Sequence, residues 1–267
     1  MNAEVAVGPA RADRPQTRQP SAEEFAQFID EGYGRILDLA TTRYSFEPYG
    51  TAAERPHALW RHDVDMSVHR AVAMADAEAS RGLAATYFFR CRSDFYNVFE
   101  PTIARLVRRI GEMGHAIGLH FEADAPCESI DSLEAQLDEQ RVLLETVTRT
   151  TVTVFSFHNP EVTGLLAMDA EQYAGMRNTY AASLRRDYTY VSDSNGYWRF
   201  TPLEHVLRSP SLTRIHVLTH PEWWTPHPMA PRDRIVRCVD GRARAVLHDY
   251  DDVLRRSGRL NITGARS

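Results

Sequence analysis

Two carboxylates and an imidazole fall within four residues at His62-Asp63-Val64-Asp65, directly after the apolar run Ala58-Leu59-Trp60. In an extended segment alternate residues face the same way, so Asp63 and Asp65 reach one site. Two neighbouring carboxylates resist joint ionisation unless a cation lies between them. A division of labour resolves this, with one carboxylate holding a metal ion and the other serving as general base. The competing structural reading makes Asp65 the N-cap of the helix that follows.

Four further strands end in a side chain of the same kind. Gly114-His115-Ala116-Ile117-Gly118-Leu119-His120 puts His115 and His120 on opposite faces, and His120, at the strand end, is the better ligand. Glu122 and Asp124 follow it and can complete a metal site or belong to a solvated loop. Phe157-His158-Asn159-Pro160 ends another strand, and the proline biases Asn159 towards extended geometry. His158 reads as a third ligand, as a residue that orients Asp63, or as a buried histidine bonded to backbone. Asp193 opens the turn Asp193-Ser194-Asn195-Gly196, whose residues are all turn formers. His220 closes an apolar strand and precedes the paired Trp223-Trp224.

The elements that must position these groups alternate along the chain. Strands are predicted at Ala58 to His62, Ala84 to Arg90, His115 to His120, Thr151 to Phe157, Tyr188 to Ser192 and Arg214 to Thr219. Helices are predicted from Ala22 to Leu39, capped by Ser21, and from Val68 to Arg81, ended by Gly82. Two more run through Ile103, Leu106, Val107 and Ile110 and through Leu133, Leu137 and Leu144. A closing helix is predicted over Ile235 to Leu254, its limits blurred by Pro231 and Gly241. Such alternation gives an α/β fold with a parallel sheet covered by helices. Polar residues after many different strands favour a barrel, which gathers every strand end on one face, over a doubly wound sheet with its site at one switch point.

The 267 residues, 43% of them hydrophobic, suffice for a single barrel domain. Residues 1–20 read as a disordered leader and 21–267 as the domain. The net charge of -5, without basic blocks, argues against nucleic acid as a partner. Nothing approaches the ~18 consecutive apolar residues of a membrane span, so no membrane partner is expected. The start of the chain lacks the apolar core of a signal peptide. Cys91, Cys127 and Cys238 have no paired spacing, which fits reduced thiols and a cytoplasmic location. Phosphate loop, dinucleotide fingerprint and nucleophile elbow are all absent.

Taken in order, these motifs resemble the polysaccharide deacetylase family, carbohydrate esterase family 4, as a divergent branch. The resemblance runs from about residue 58 to residue 224 and implies a deformed (β/α) barrel. Arg61-His62-Asp63-Val64-Asp65 resembles the first family motif, implying Asp63 as catalytic base and Asp65 as metal ligand. Gly114 to His120 resembles the second, implying His120 as ligand. Asp193 to Trp198 and Leu218-Thr219-His220 resemble the fourth and fifth, implying Asp193 in the catalytic set and His220 as proton donor. Two departures stand out. The family's second metal histidine falls on Asp124, and the arginine that typically pairs with the base falls on His158. His158 is favoured over Asp124 or Glu122 as the replacement ligand, because a strand-end imidazole suits zinc.

The expected activity is removal of an acetyl or other acyl group from the nitrogen of an amino sugar, glycan precursor or small acylated amine. The expected cofactor is a divalent metal, zinc by preference. Trp198, Trp223 and Trp224 are expected to wall the substrate site. Two rivals remain: a metal-free hydrolase opening a cyclic amide or ureide, and a ligand-binding barrel without catalysis. The retained Asp63 and His220 argue against the second, since binding alone needs neither base nor acid.

Overall fold

A computed structural model describes residues 21–51 and 53–262; the expected leader lies outside the described residues. Its strands are β1 (Ser45–Phe46), β2 (His57–Val64), β3 (Thr86–Phe89), β4 (Ala116–Phe121), β5 (Val154–Phe157), β6 (Gln172–Tyr173), β7 (Met176–Asn178), β8 (Thr189–Ser192) and β9 (Arg214–Thr219). They form one sheet in the order β6-β7-β5-β4-β3-β2-β9-β8, with β1 paired to the start of β2. All pairings are parallel except that of β6 with β7. Among the described residues β8 does not pair with β6 or β7, so the curled sheet is an open barrel.

The helices are α1 (Ala22–Ala26), α2 (Asp30–Thr41), α3 (Val68–Ala79), α4 (Pro101–Glu112), α5 (Ile130–Thr148), α6 (Pro160–Thr163), α7 (Ala182–Asp187), α8 (Leu203–Arg208) and α9 (Pro231–Arg256). No helix among the described residues is long and apolar enough to cross a membrane.

Three expectations need revision. The helix predicted from Ala22 to Leu39 is two helices, broken where Ile29 is extended and bridges Thr225. The break lets Phe28 pack against Trp198 and Trp224, at ring-centroid distances of 5.4 and 4.7 Å. β2 runs on to Val64, which carries Asp63 into the sheet itself. Asn159 is left-handed, with φ 46°, instead of extended. Asparagine is enriched in that conformation, and here it brings the Asn159 amide to 2.9 Å from His158 Nε2.

Alternation along β2 separates two environments. Arg61 and Asp63 line the cavity inside the barrel. Trp60 and His62 point outward under the helices, where His62 Nε2 lies 2.7 Å from Glu78 of α3. The Glu78 carboxylate is wholly buried and also accepts the hydroxyls of Tyr33 and of Tyr87 (2.7 Å). Burial opposes its charge, yet His62 and His115 beside it hold its pKa below the ordinary carboxylate value. The other ring nitrogen of His62 reaches Thr219 Oγ1 at 2.6 Å. This network fixes β2 and β9 in register beneath Asp63 and His220. Gly118 of β4 is needed for close packing, because a Cβ there would sit 2.5 Å from the ring of Phe88.

Candidate metal centre and its flanking acid and base

Asp65, just past β2, meets His120 from β4 and His158 from the end of β5. Asp65 Oδ1 lies 3.1 Å from His120 Nε2 and 3.2 Å from His158 Nδ1, and the two ring nitrogens are 3.2 Å apart. Three donors from three strand ends therefore form a nearly equilateral triangle. A tetrahedral ion with bonds of ~2.0–2.1 Å would hold its donors about 3.3–3.4 Å apart, so the spacing fits. Asp65 Oδ1 is buried, and its two close neighbours are these imidazole nitrogens, with no well-formed hydrogen bond to it. Burial raises the cost of its charge, but the two imidazoles hold the carboxyl well below the ordinary range. An orphaned carboxylate oxygen between two imidazoles is the chemistry of a cation site, and one oxygen with two nitrogens suits a zinc-like ion.

Of the alternative third ligands, Asp124 turns away to pair with Arg92. Glu122 pairs with Arg90, and its nearer oxygen remains 3.9 Å from the outer nitrogen of His158. His158, the favoured candidate, is the residue grouped with Asp65 and His120, in place of the Asp124 on which the family spacing fell.

Asp63 is buried beside the triangle, and two groups steady it. Arg61 NH2 approaches Asp63 Oδ2 at 3.4 Å, and Ser156 Oγ donates to Asp63 Oδ1 at 3.2 Å. The guanidinium is wholly buried, lies 5.1 Å from the Tyr180 ring centroid and stays charged. Asp63 therefore has an arginine beside it, supplied by its own strand two residues earlier. Ser156 Oγ also lies 2.7 Å from His120 Nδ1. With His120 Nδ1–H donating to Ser156, and Ser156 donating to Asp63, the lone pair of His120 Nε2 faces the triangle. Such outer partners orient metal-binding imidazoles. Nothing in the sequence marks Ser156 except that it lies two residues before His158, on the same face of β5. Ser156→Ala is expected to weaken metal affinity by about 10–100-fold with the fold intact, measurable by competition with a chromophoric chelator.

Opposite stands His220, at the end of β9. Its Nδ1 lies 2.7 Å from Asp193 Oδ1, and its backbone N–H donates to both Asp193 oxygens at 3.0 and 3.1 Å. Trp224 Nε1 donates to Asp193 Oδ2 at 2.9 Å. Burial favours the neutral imidazole, but the hydrogen bond and charge of Asp193, with Asp65 beyond, lift the His220 pKa to about 10. His220 is therefore an imidazolium held by a buried carboxylate.

Asp63, Asp65, His120, His158 and His220 line one cavity of about 570 Å³. Its outer wall carries Val162, Leu166 and Phe200, which are exposed apolar side chains. The three tryptophans expected there are absent from the lining. Trp198, Trp223 and Trp224 are at most 5% exposed. Trp198 and Trp224 pack with Phe28 and Tyr33 behind the site, and Trp224 serves it by holding Asp193. His115, on the opposite face of the segment from His120, bonds the Ala85 N–H and the Ala75 carbonyl.

No family model matches the chain, and no curated protein matches it at a significant level. Solved structures do match. A carbohydrate esterase family 4 pseudoenzyme from Bacillus anthracis is 14% identical over 71% of this chain, at a TM-score of 0.41. A family 4 acetyl xylan esterase from Clostridium thermocellum, solved with cobalt, is 15% identical; the match covers 69% of this chain and 84% of that one, at a TM-score of 0.39. A family 4 carbohydrate esterase from Bacillus anthracis is 12% identical, covering 78% of this chain and 85% of that one, at a TM-score of 0.41. The chain spans 63% of the length of the pseudoenzyme it matches.

Proposed function

We propose that this protein is a metal-dependent amide hydrolase that removes an acyl group from the nitrogen of a small acylated amine of amino-sugar size. One observation carries the reading: a three-donor cation site lies in the same cavity as a buried carboxylate and a buried imidazolium. Asp65, His120 and His158 would hold a divalent ion, which would supply Lewis-acid polarisation to the acyl group and the attacking water. Asp63, held by Arg61 and Ser156, takes the proton from that water as its oxygen bonds to the acyl carbon. His220, held by Asp193, gives its Nε2 proton to the nitrogen as the carbon–nitrogen bond breaks. The products are a carboxylic acid and a free amine, and Asp63 and His220 then exchange protons with solvent.

The cavity is within the usual volume range for a small-molecule site. Its apolar outer wall suits one face of a sugar ring or a similar compact body. Zinc is the ion of choice for this donor set.

The test compares chelated protein with protein reloaded with zinc or cobalt, measuring acetate release from N-acetylglucosamine and from N-acetylated aromatic amines. Release that depends on metal is the expected result. Equal release from chelated protein would favour the metal-free hydrolase. No release from any acylated amine, with metal bound, would leave a binding barrel.

A further inference from the structure

The closing helix α9 runs for 26 residues, about 39 Å at helical rise. Its first turns are anchored to the barrel. Arg234 is wholly buried and donates to the Phe25 carbonyl at 2.7 Å, and Arg242 makes a two-pronged pair with Glu100 at 2.6 and 2.8 Å. Beyond Arg242 the helix leaves the body, and its side chains are mostly exposed.

The apolar side chains on this helix follow a heptad pattern. Val236, Ala243 and Tyr250 recur every seven residues, and so do Val239, Val246 and Val253, offset from the first set by three. This is the spacing of an a/d coiled-coil seam. Val239, Val246, Tyr250 and Val253 are each between 50% and 61% exposed. Between Ile235 and Arg256 no charged residue falls within the stripe. A helix this exposed gains little from the barrel, and an apolar seam along it marks a contact surface.

The charges indicate what covers the seam. Residues 231–244 of α9 carry Arg232, Arg234, Arg237, Arg242 and Arg244 against Asp233 and Asp240. The second half carries Asp249, Asp251 and Asp252 within four residues, followed by Arg255 and Arg256, which pair back onto Asp252. We infer that α9 pairs with the α9 of a second copy of this chain, antiparallel and about a two-fold axis. In that register Val236 packs against the partner's Val253, Val239 against the partner's Tyr250, and Ala243 against the partner's Val246. The seam is self-complementary, as a two-fold contact requires.

The same register brings Arg242 beside the partner's Asp249, twice. Glu100 uses two of the five Arg242 N–H donors, so others remain for that contact. A parallel pair offers no such complement: the residues flanking its seam opposite Arg242 and Asp249 are Leu247 and Leu254. It would also bring both barrels to the same end of the helices.

Sedimentation of the full chain tests the inference. Wild-type protein is expected at twice the mass of one chain, and Val246→Glu with Tyr250→Glu at the mass of one, with unchanged circular dichroism because both side chains are exposed. Oxidative cross-linking tests direction: chains with Val236→Cys are expected to link to chains with Val253→Cys when mixed, and neither to itself. A monomeric wild type overturns the inference, as does a dimer that survives the double substitution. A monomer in which residues 236–253 are protected from hydrogen exchange overturns it too, by showing that another segment covers the seam. Self-linking of each cysteine variant overturns the antiparallel register.

Discussion

Asp63→Asn lowers turnover by about 10²–10⁴-fold, the range that a positioned general base contributes. Asparagine keeps the shape of the side chain and can still accept from Ser156, but it leaves the buried Arg61 cation without its carboxylate, so circular dichroism and thermal unfolding of the variant separate lost chemistry from lost stability. It removes a cavity carboxylate outside the donor triangle that is held by both a buried guanidinium and a hydroxyl. Metal content is expected to stay unchanged, because Asp65, His120 and His158 keep their places. Single-turnover assays with metal-loaded variant protein check this. A variant that retains turnover within a few-fold would remove Asp63 from the chemistry.

Asp193→Asn has a comparable effect, but one that depends on pH. His220 must be protonated to give a proton to the leaving nitrogen, so activity persists as pH rises until its pKa is reached. In the native protein that pKa is raised to about 10. Without the hydrogen bond and charge of Asp193, burial is opposed only by the more distant Asp65 and Glu222, and the pKa falls towards or below the ordinary histidine value of ~6.5. The alkaline limb of kcat/KM is therefore expected to fall by several pH units, with the deficit largest at high pH and narrowing as pH is lowered. His220→Ala is expected to lose the limb altogether. An Asp193→Asn variant with an unmoved alkaline limb would contradict the assignment of His220 as acid.

The strand ends were legible because each couples an apolar run to an abrupt polar stop, as at Trp60 to Asp63 and Leu218 to His220. Alternation places Asp63 and Asp65 on one face, and the parallel sheet brings His120 and His158 to the same rim. Ser156 was not legible, since a serine inside a buried strand carries no periodic signal. The pairing of Arg61 with Asp63 follows from the same alternation, yet a basic residue beside two carboxylates is equally compatible with a solvated strand end. The tryptophans misled for a tertiary reason. A Trp pair in a loop after a strand-end histidine has the pattern of an exposed wall, but the break between α1 and α2 drives Phe28 onto Trp224 and Trp198, and all three tryptophans are buried. The hairpin β6–β7 turns at Ala174-Gly175, both with positive φ, and an alanine there gives no turn signal.

The central claim is that Asp65, His120 and His158 bind a metal ion. Elemental analysis of purified protein, after dialysis against zinc and removal of loose ions, tests it beside Asp65→Ala and His158→Ala. About one ion per chain in the wild type, lost in both variants, is the predicted result. Metal retained by His158→Ala, or no metal in the wild type, would contradict it.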